Sequence, residues 1–204
     1  VDSVPDLAYG VDRMLEQLGR PPAGVEKVRN WVGNGALVLV RRALADSIEH
    51  DAVDDTEAEA ALPLFMEGYA AAEGQTVRYP GALECLQELQ AAGVRLGLVT
   101  NKPERFIPEL LQEQQMDGFF EWVVGGDTLP RRKPEPDGLF SVMQQAGFNA
   151  EQSLFVGDSR NDILAARAAG VSCAALTYGY NYGEDVATYQ PALVIDNLQE
   201  LVQA

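Results

Sequence analysis

The chain has 204 residues, 47% of them apolar, and a formal charge of −16. Such a length and composition suit one globular domain, or one with an inserted subdomain, and exclude a disordered chain. No apolar run approaches the ~20 residues of a membrane span, no secretory signal is visible, and the acidic balance argues against nucleic acid as a partner.

Residues 5–75 read as helices throughout, and the breaker at Tyr79-Pro80-Gly81 ends this region. The first begins almost at once: Ser3 is placed to cap it, Pro5 fits the first turn, and Asp6 adds negative charge near the positive helix end. Leu7, Val11, Met14, Leu15 and Leu18 follow at helical spacing and predict one apolar face. Three more helices are predicted in GVEKVRNWVG, GALVLVRRALADSIE and DTEAEAALPLFMEGYAAAEG. Gly19-Arg20-Pro21-Pro22, Gly33-Asn34-Gly35 and the acidic stretch from Glu49 to Asp55 separate them. His50, the only histidine, lies in that acidic stretch and is expected to be solvated, which rules out a triad built on several histidines.

From Pro80 the pattern changes to short apolar strands alternating with helices. GALECLQELQAAG, PERFIPELLQEQ, PDGLFSVMQQAG and RNDILAARAAG read as helices. VRLGLVT, FEWVVG, SLFVG and VSCAALT read as strands, and ALVIDN and LQELVQ close the chain. This alternation predicts βαβ units: an α/β core over 80–204, Rossmann-like, with a parallel sheet covered by helices on both faces. Cys85 and Cys173 stand far apart in apolar settings, and are expected to be buried thiols in the reducing cytoplasm rather than a disulfide or a zinc site.

In open parallel sheets, ligands bind outside the carboxyl ends of the strands, and three such ends carry polar residues here. In GLVTNKPE, the Thr100 hydroxyl and the amides of Asn101 and Lys102 could cradle phosphate oxygens, or Thr100 could simply cap a helix beginning at Pro103. In GGDTLPRRKPEPDG, Lys133 is stiffened between Arg132 and Pro134; it suits a fixed charge, and would equally suit a solvated basic loop. In SLFVGDSRNDILAA, Asp158 and Asp162 are one helical turn apart and can face one site. Their hard oxygens suit Mg2+, while Asp158 or Ser159 could instead be helix caps. A phosphate cradle, a fixed lysine and a Mg2+ site at one sheet edge suit phosphoryl transfer, for which a nucleophile is still needed.

With Thr100 at its second motif, Lys133 at its third and Gly157-Asp158-Ser159-Arg160-Asn161-Asp162 at its acidic fourth, the chain resembles the haloacid dehalogenase superfamily of phosphohydrolases over essentially its whole length. VDSVPDL, WVGNGA, the K-P-E-P run and TYGYNYGE resemble its bacterial members that hydrolyse 2-phosphoglycolate. The resemblance implies a haloacid dehalogenase-like core with an inserted all-helical cap over 5–79. Residues 1–4 would then link the cap to a first strand. The family's first motif, D-x-D-G-T on that strand, precedes a segment like Leu-Val-Asp-Ser, so the nucleophilic Asp is expected N-terminal to Val1 and is not Asp2. In the family sheet that strand lies between those ending here at Thr100 and Gly157.

Carried over by resemblance, Thr100, Asn101 and Lys133 would hold and neutralise the phosphate, and Asp158 would bind Mg2+. Asp162 would be a further ligand or support the metal shell. Substrate choice would come from the cap: Gly33, Asn34 and Gly35, and Arg41 or Arg42, which could meet a substrate carboxylate or lie on a solvated helix face. Trp31 is expected to pack the cap core. The implied protein is a cytoplasmic monomer or homodimer acting on a small anionic phosphoester, without nucleic-acid or membrane partners. A phosphosugar mutase, another small-phosphoester phosphatase and a binding-only chain lacking the nucleophile are the alternatives.

Overall fold

The computed structural model describes residues 1–72 and 74–202. Glu73, near the end of the fourth predicted helix, and Gln203, the last residue of LQELVQ, lie outside the described residues. The chain forms two compact units, Val1–Val77 and a second beginning at Arg78.

The first unit holds four helices: α1 (Val4–Gln17), α2 (Gly24–Trp31), α3 (Ala36–Ala45) and α4 (Asp55–Ala70). On α1 the buried stripe runs through Val4, Ala8, Val11, Met14 and Leu15; Leu18, expected on it, is 41% exposed just past the helix end. Ser3 stands at the N-cap position, yet its side chain makes no cap, and the Asp2 carboxylate instead accepts from the Val4 amide at 3.2 Å. Two sequence neighbours competed for one orphan amide, and the carboxylate holds it. α1 and α4 pack so closely that a Cβ on Gly10 would lie 2.9 Å from the Tyr69 nitrogen. Trp31 is buried as expected. His50 is half-buried, not solvated, with Nδ1 buried and without a hydrogen-bond partner.

The ends of this unit are tied together by hydrogen bonds. Asp2 and Val77 exchange backbone hydrogen bonds of 2.8 and 3.1 Å in an antiparallel bridge. Asp6, buried in the first turn of α1, accepts from the Gln75 and Thr76 amides at 2.8 Å each and from the Thr76 hydroxyl at 2.6 Å. Its charge therefore acts on residues some 70 positions away as well as on the helix end.

The second unit is the α/β core. Its elements are α5 (Ala82–Ala91), β1 (Gly97–Val99), α6 (Ile107–Glu113), β2 (Trp122–Val124), α7 (Asp137–Ala146), β3 (Leu154–Gly157), α8 (Arg160–Ala169), β4 (Ser172–Leu176) and β5 (Leu193–Ile195). All strand pairs are parallel, but the strands form two sheets rather than the single one expected: β1–β2, and β3–β4–β5. Among the described residues no strand pairing joins the two sheets. Along β4 the side chains alternate between two cores. Cys173 and Ala175 join Leu139, Ile163, Ala165 and Ala166 from α7 and α8, whereas Ala174 and Leu176 join Ile195, with Val156, Tyr178 and Leu198 against them. Small residues buried on both faces are what a covered parallel strand needs. Val99 of β1 packs into the α7–α8 core beside Phe155 of β3, so that core spans both sheets. Both thiols are free and buried, and burial first, then the Asp162 charge, pushes Cys173 up to about 12.

Replacing Asp6 with Ala strips the acceptor from two amides and a hydroxyl at a buried site. It should cost about 3 kcal/mol and lower the urea midpoint for unfolding of the helical unit; an unchanged midpoint would refute the tie.

Candidate active site

The carboxyl ends of β1, β2 and β3 carry the loops singled out in the sequence, and Lys133 joins two of them. Its ammonium donates to the Val99 carbonyl at 2.8 Å and to Asp162 Oδ1 at 2.7 Å, with the side chain only 12% exposed. A solvated basic loop is thereby excluded. The Lys133–Pro134 peptide is cis. Asn101 donates its side-chain amide to the Lys133 carbonyl at 2.9 Å, so the loops after β1 and β2 are fixed to each other.

Thr100 continues the β1–β2 ladder through its amide, which donates to Val124 at 2.9 Å. Its hydroxyl oxygen accepts from the Lys102 amide at 3.2 Å, which leaves the hydroxyl proton to donate elsewhere. The Lys102 amide is therefore already used, contrary to the cradle expected of it. Thr100 is no helix cap either, since a 3-10 turn over Glu104–Phe106 intervenes and α6 begins at Ile107.

The two aspartates of the acidic loop divide their work. Asp162 Oδ2 accepts from the Asp158 amide (3.1 Å), the Ser159 amide (3.1 Å) and the Ser159 hydroxyl (3.0 Å), while Oδ1 takes Lys133. Ser159 is the N-cap of α8 in a reciprocal capping box with Asp162. Both Asp162 oxygens are spent on holding the loop and the lysine. Asp158 is in the opposite condition. Burial first, then the Asp162 charge, push its carboxyl up to about 7 against the pull of Lys133. A carboxylate so placed is short of positive charge, and a divalent cation would relieve it. Among the described residues no group of three or more His, Cys, Asp or Glu gathers around a metal site. One or two carboxylates suffice for Mg2+, which keeps several waters, so the donor set fits that ion.

The loop after β4 forms the wall beside Asp158, and sequence reasoning assigned it no role. A Cβ on Gly179, at φ +113°, would lie 2.1 Å from Asp158 Oδ2, so only glycine lets the backbone pass there. The neighbouring Tyr178 packs against Tyr79, the rings tilted by 39° with centroids 4.4 Å apart. Its hydroxyl is buried without a partner, and burial, followed by the Asp158 charge, pushes it up to about 12. The signal in the sequence was the run TYGYNYGE at a strand end, polar and glycine-rich where an ordinary turn needs neither two asparagine-flanking tyrosines nor two glycines.

Of the residues expected to choose the substrate, all belong to the helical unit. Gly33 and Gly35 take φ of 120° and 88°, and half-buried Asn34 stands between them before α3. Arg41 pairs with Asp55 and donates to the Val53 carbonyl. Arg42 is 6% exposed, and its guanidinium donates to the Trp31 carbonyl at 2.5 Å and the Ile48 carbonyl at 3.3 Å. Neither arginine lies on a solvated helix face, and Arg42 ties α2, α3 and the following loop together.

The loops after parallel strands thus carry a threonine, an ion-paired lysine and a charge-deficient carboxylate at the edge where open α/β sheets take their ligands, the architecture of an α/β-class protein. The family model for haloacid dehalogenase-like hydrolases matches residues 1–176. The chain is 60% identical over 202 residues to phosphoglycolate phosphatase 1 of Pseudomonas aeruginosa, covering 99% of this chain and 74% of that protein. It is 58% identical, with the same coverage, to phosphoglycolate phosphatase of Pseudomonas fluorescens. Among solved structures, "a predicted phosphoglycolate phosphatase" from Haemophilus somnus superposes with a TM-score of 0.89 at 34% identity, over 99% of this chain and 91% of that one. The chain belongs to the haloacid dehalogenase-like hydrolases. It is a phosphoric monoester hydrolase.

Asp158 also sets a pH dependence whose sign is fixed. Between about 3.8 and about 7 the folded state keeps a proton that the unfolded state has released, so this group's contribution to stability falls as pH rises through that window. In metal-free buffer Asp158→Asn should therefore melt higher than the parent at pH 8, by about 2–5 °C, with the gap narrowing steadily as pH falls towards 4. A variant melting at or below the parent at pH 8 would contradict the charge deficit.

Proposed function

We propose that the protein hydrolyses 2-phosphoglycolate to glycolate and phosphate with Mg2+ as cofactor. The observation that carries this reading is the single ammonium of Lys133, held at once by the end of β1 and by the acidic loop after β3. It fixes one positive charge where the end of the strand before Thr100 meets the acidic loop that carries Asp158. The substrate comes from the relatives named for it, at 58–60% identity along nearly the whole chain.

In this reading the Thr100 hydroxyl and the Asn101 loop receive phosphoryl oxygens, and Lys133 neutralises charge that builds up on the transferring group. Asp158 is the ligand to Mg2+, which when bound would offset phosphate charge in a chain of net −16. Asp162 acts through its neighbours, holding the loop and orienting Lys133. The nucleophile is an aspartate of the family's first motif, attacking phosphorus to form an aspartyl-phosphate that water then cleaves. Supporting a strand for that motif is the break in the sheet: among the described residues β1 pairs only with β2, and β3 only with β4. A strand inserted there would satisfy both open edges and bring its end beside Thr100 and Asp158. The helical unit serves as the cap that shields the reaction from water.

The test is phosphate release from 2-phosphoglycolate by the product of the complete gene. Activity should require Mg2+ and vanish with EDTA. Lys133→Met should lower kcat by about 10²–10³ while the protein still binds phosphate weakly. A Lys133→Met variant with parental kcat would remove the lysine from the mechanism, and a parent protein that binds 2-phosphoglycolate without turnover would favour the binding-only alternative.

For the cap, the Gly33-Asn34-Gly35 turn and Arg41 are the proposed determinants of substrate choice, with Arg42 as a structural tie. Asn34→Phe should raise KM for 2-phosphoglycolate about tenfold with kcat for a larger phosphoester unchanged. Equal KM values in parent and variant would exclude the turn.

A further inference from the structure

The run TYGYNYGE is not used by the mechanism above, yet its loop is attached to the acidic loop at three places. Asn181, 8% exposed, accepts the Arg160 amide on Oδ1 at 2.7 Å and donates Nδ2 to the Glu184 carbonyl at 2.9 Å. Donor and acceptor each meet their complement, which fixes the orientation of the amide group. The Arg160 amide is the first N–H of α8, one that helix geometry leaves unpaired, so Asn181 completes from a distant loop the capping that Ser159 and Asp162 begin. Tyr182 accepts from the Asn161 side chain at 3.0 Å, and its ring lies 4.2 Å from the Arg160 guanidinium. Arg160 also donates to Glu184 at 3.3 Å. Tyr182 holds φ +56°, a left-handed conformation uncommon for a bulky residue and sustained only where contacts over-determine it. The third attachment is Gly179, whose backbone lies against the Asp158 carboxylate.

We propose that Asn181, seconded by Tyr182, is a positioning residue for the divalent-cation site: it clamps the 178–184 loop to the start of α8 and so holds Asp158 in its ligating orientation. The inference rests on Asp158 being the Mg2+ ligand. The physical ground is that two elements limit where the Asp158 carboxylate can lie. Asp162 fixes its backbone through the Asp158 amide, and the Gly179 backbone limits where its oxygens can lie. The first constraint is local to the acidic loop. The second belongs to a loop some twenty residues further on, and it holds only while Asn181 and Tyr182 keep that loop in place. Partners beyond the ligating residues commonly carry a large share of metal affinity for this reason.

The experiment is calorimetric titration of Mn2+, as a Mg2+ surrogate, into the metal-free full-length protein, without substrate. Asn181→Ala should weaken Mn2+ binding about tenfold, and Tyr182→Phe by a smaller factor, both measured well below their melting temperatures. Asn149→Ala serves as the stability control, since it removes a capping box remote from the site and should leave Mn2+ affinity unchanged. Tyr182→Phe deletes one oxygen only and carries the test alone should Asn181→Ala lose its melting transition. Parental affinity in the folded variants overturns the clamp and leaves the Asp158 assignment standing. Absence of Mn2+ binding in the parent itself overturns the assignment, and the clamp with it.

Discussion

A lysine ammonium within hydrogen-bond distance of a strand-end carbonyl and a buried carboxylate is the constraint on which this core depends. Lys133 makes those two bonds at 2.8 and 2.7 Å, one to the last residue of β1 and the other to the first turn of α8, the helix that follows β3. Removing either partner would leave a nearly buried cation half-paired, a far larger penalty than the loss of a surface ion pair. The loops after β1, β2 and β3 are thus registered against one another through one nitrogen. The α7–α8 core registers the strands beneath them, with Val99 and Phe155 packed on the same cluster.

The electrostatics of the acidic loop follow from an unequal division between two carboxylates one helical turn apart. Asp162 is saturated, accepting from two amides, a hydroxyl and an ammonium, and is thereby fixed in a structural role. Asp158 bears the cost of that arrangement, since burial and the charge of its neighbour oppose its ionisation. The same placement that makes Asp158 a poor contributor to stability leaves it short of positive charge, which is the usual relation between a functional group and the fold that strains it. A chain of strongly negative charge that handles an anionic ester needs local positive charge of this kind.

Much of the fold was legible in the sequence because it rests on periodicity. Val11, Met14 and Leu15 mark the buried face of α1 at helical spacing, and SLFVG and VSCAALT read as covered parallel strands because apolar runs of that length allow little else. The candidate site residues were picked out as residue types in segments that follow strands, and the fold places them so: Thr100 directly after β1, Lys133 in the loop after β2, Asp158 directly after β3 and Asp162 in the first turn of α8. What escaped was every question of which donor meets which acceptor. Ser3 is the expected cap, and the Asp2 carboxylate makes the bond; Arg42 looks like a surface cation and is buried on two carbonyls; His50 sits in an acidic run and is nevertheless half-buried. Local spacing cannot rank such partners, because the choice depends on chain that returns from tens of residues away.

The loop after β4 shows the same limit at its most consequential. Read locally, Asn181 is a turn residue between two tyrosines. In the fold it occupies the place of a helix cap whose helix begins twenty-one residues earlier, with the amide of Arg160 on one side and the carbonyl of Glu184 on the other. Helix α8 therefore has a divided N-terminus, with Ser159 and Asp162 closing it from within and Asn181 from outside. Such an arrangement couples the geometry of the acidic loop to a segment that contributes no carboxylate of its own to Asp158. It also explains why glycine stands at 179: the capping loop must pass against Asp158 Oδ2 to reach α8, and any side chain there would displace the carboxylate it helps to hold.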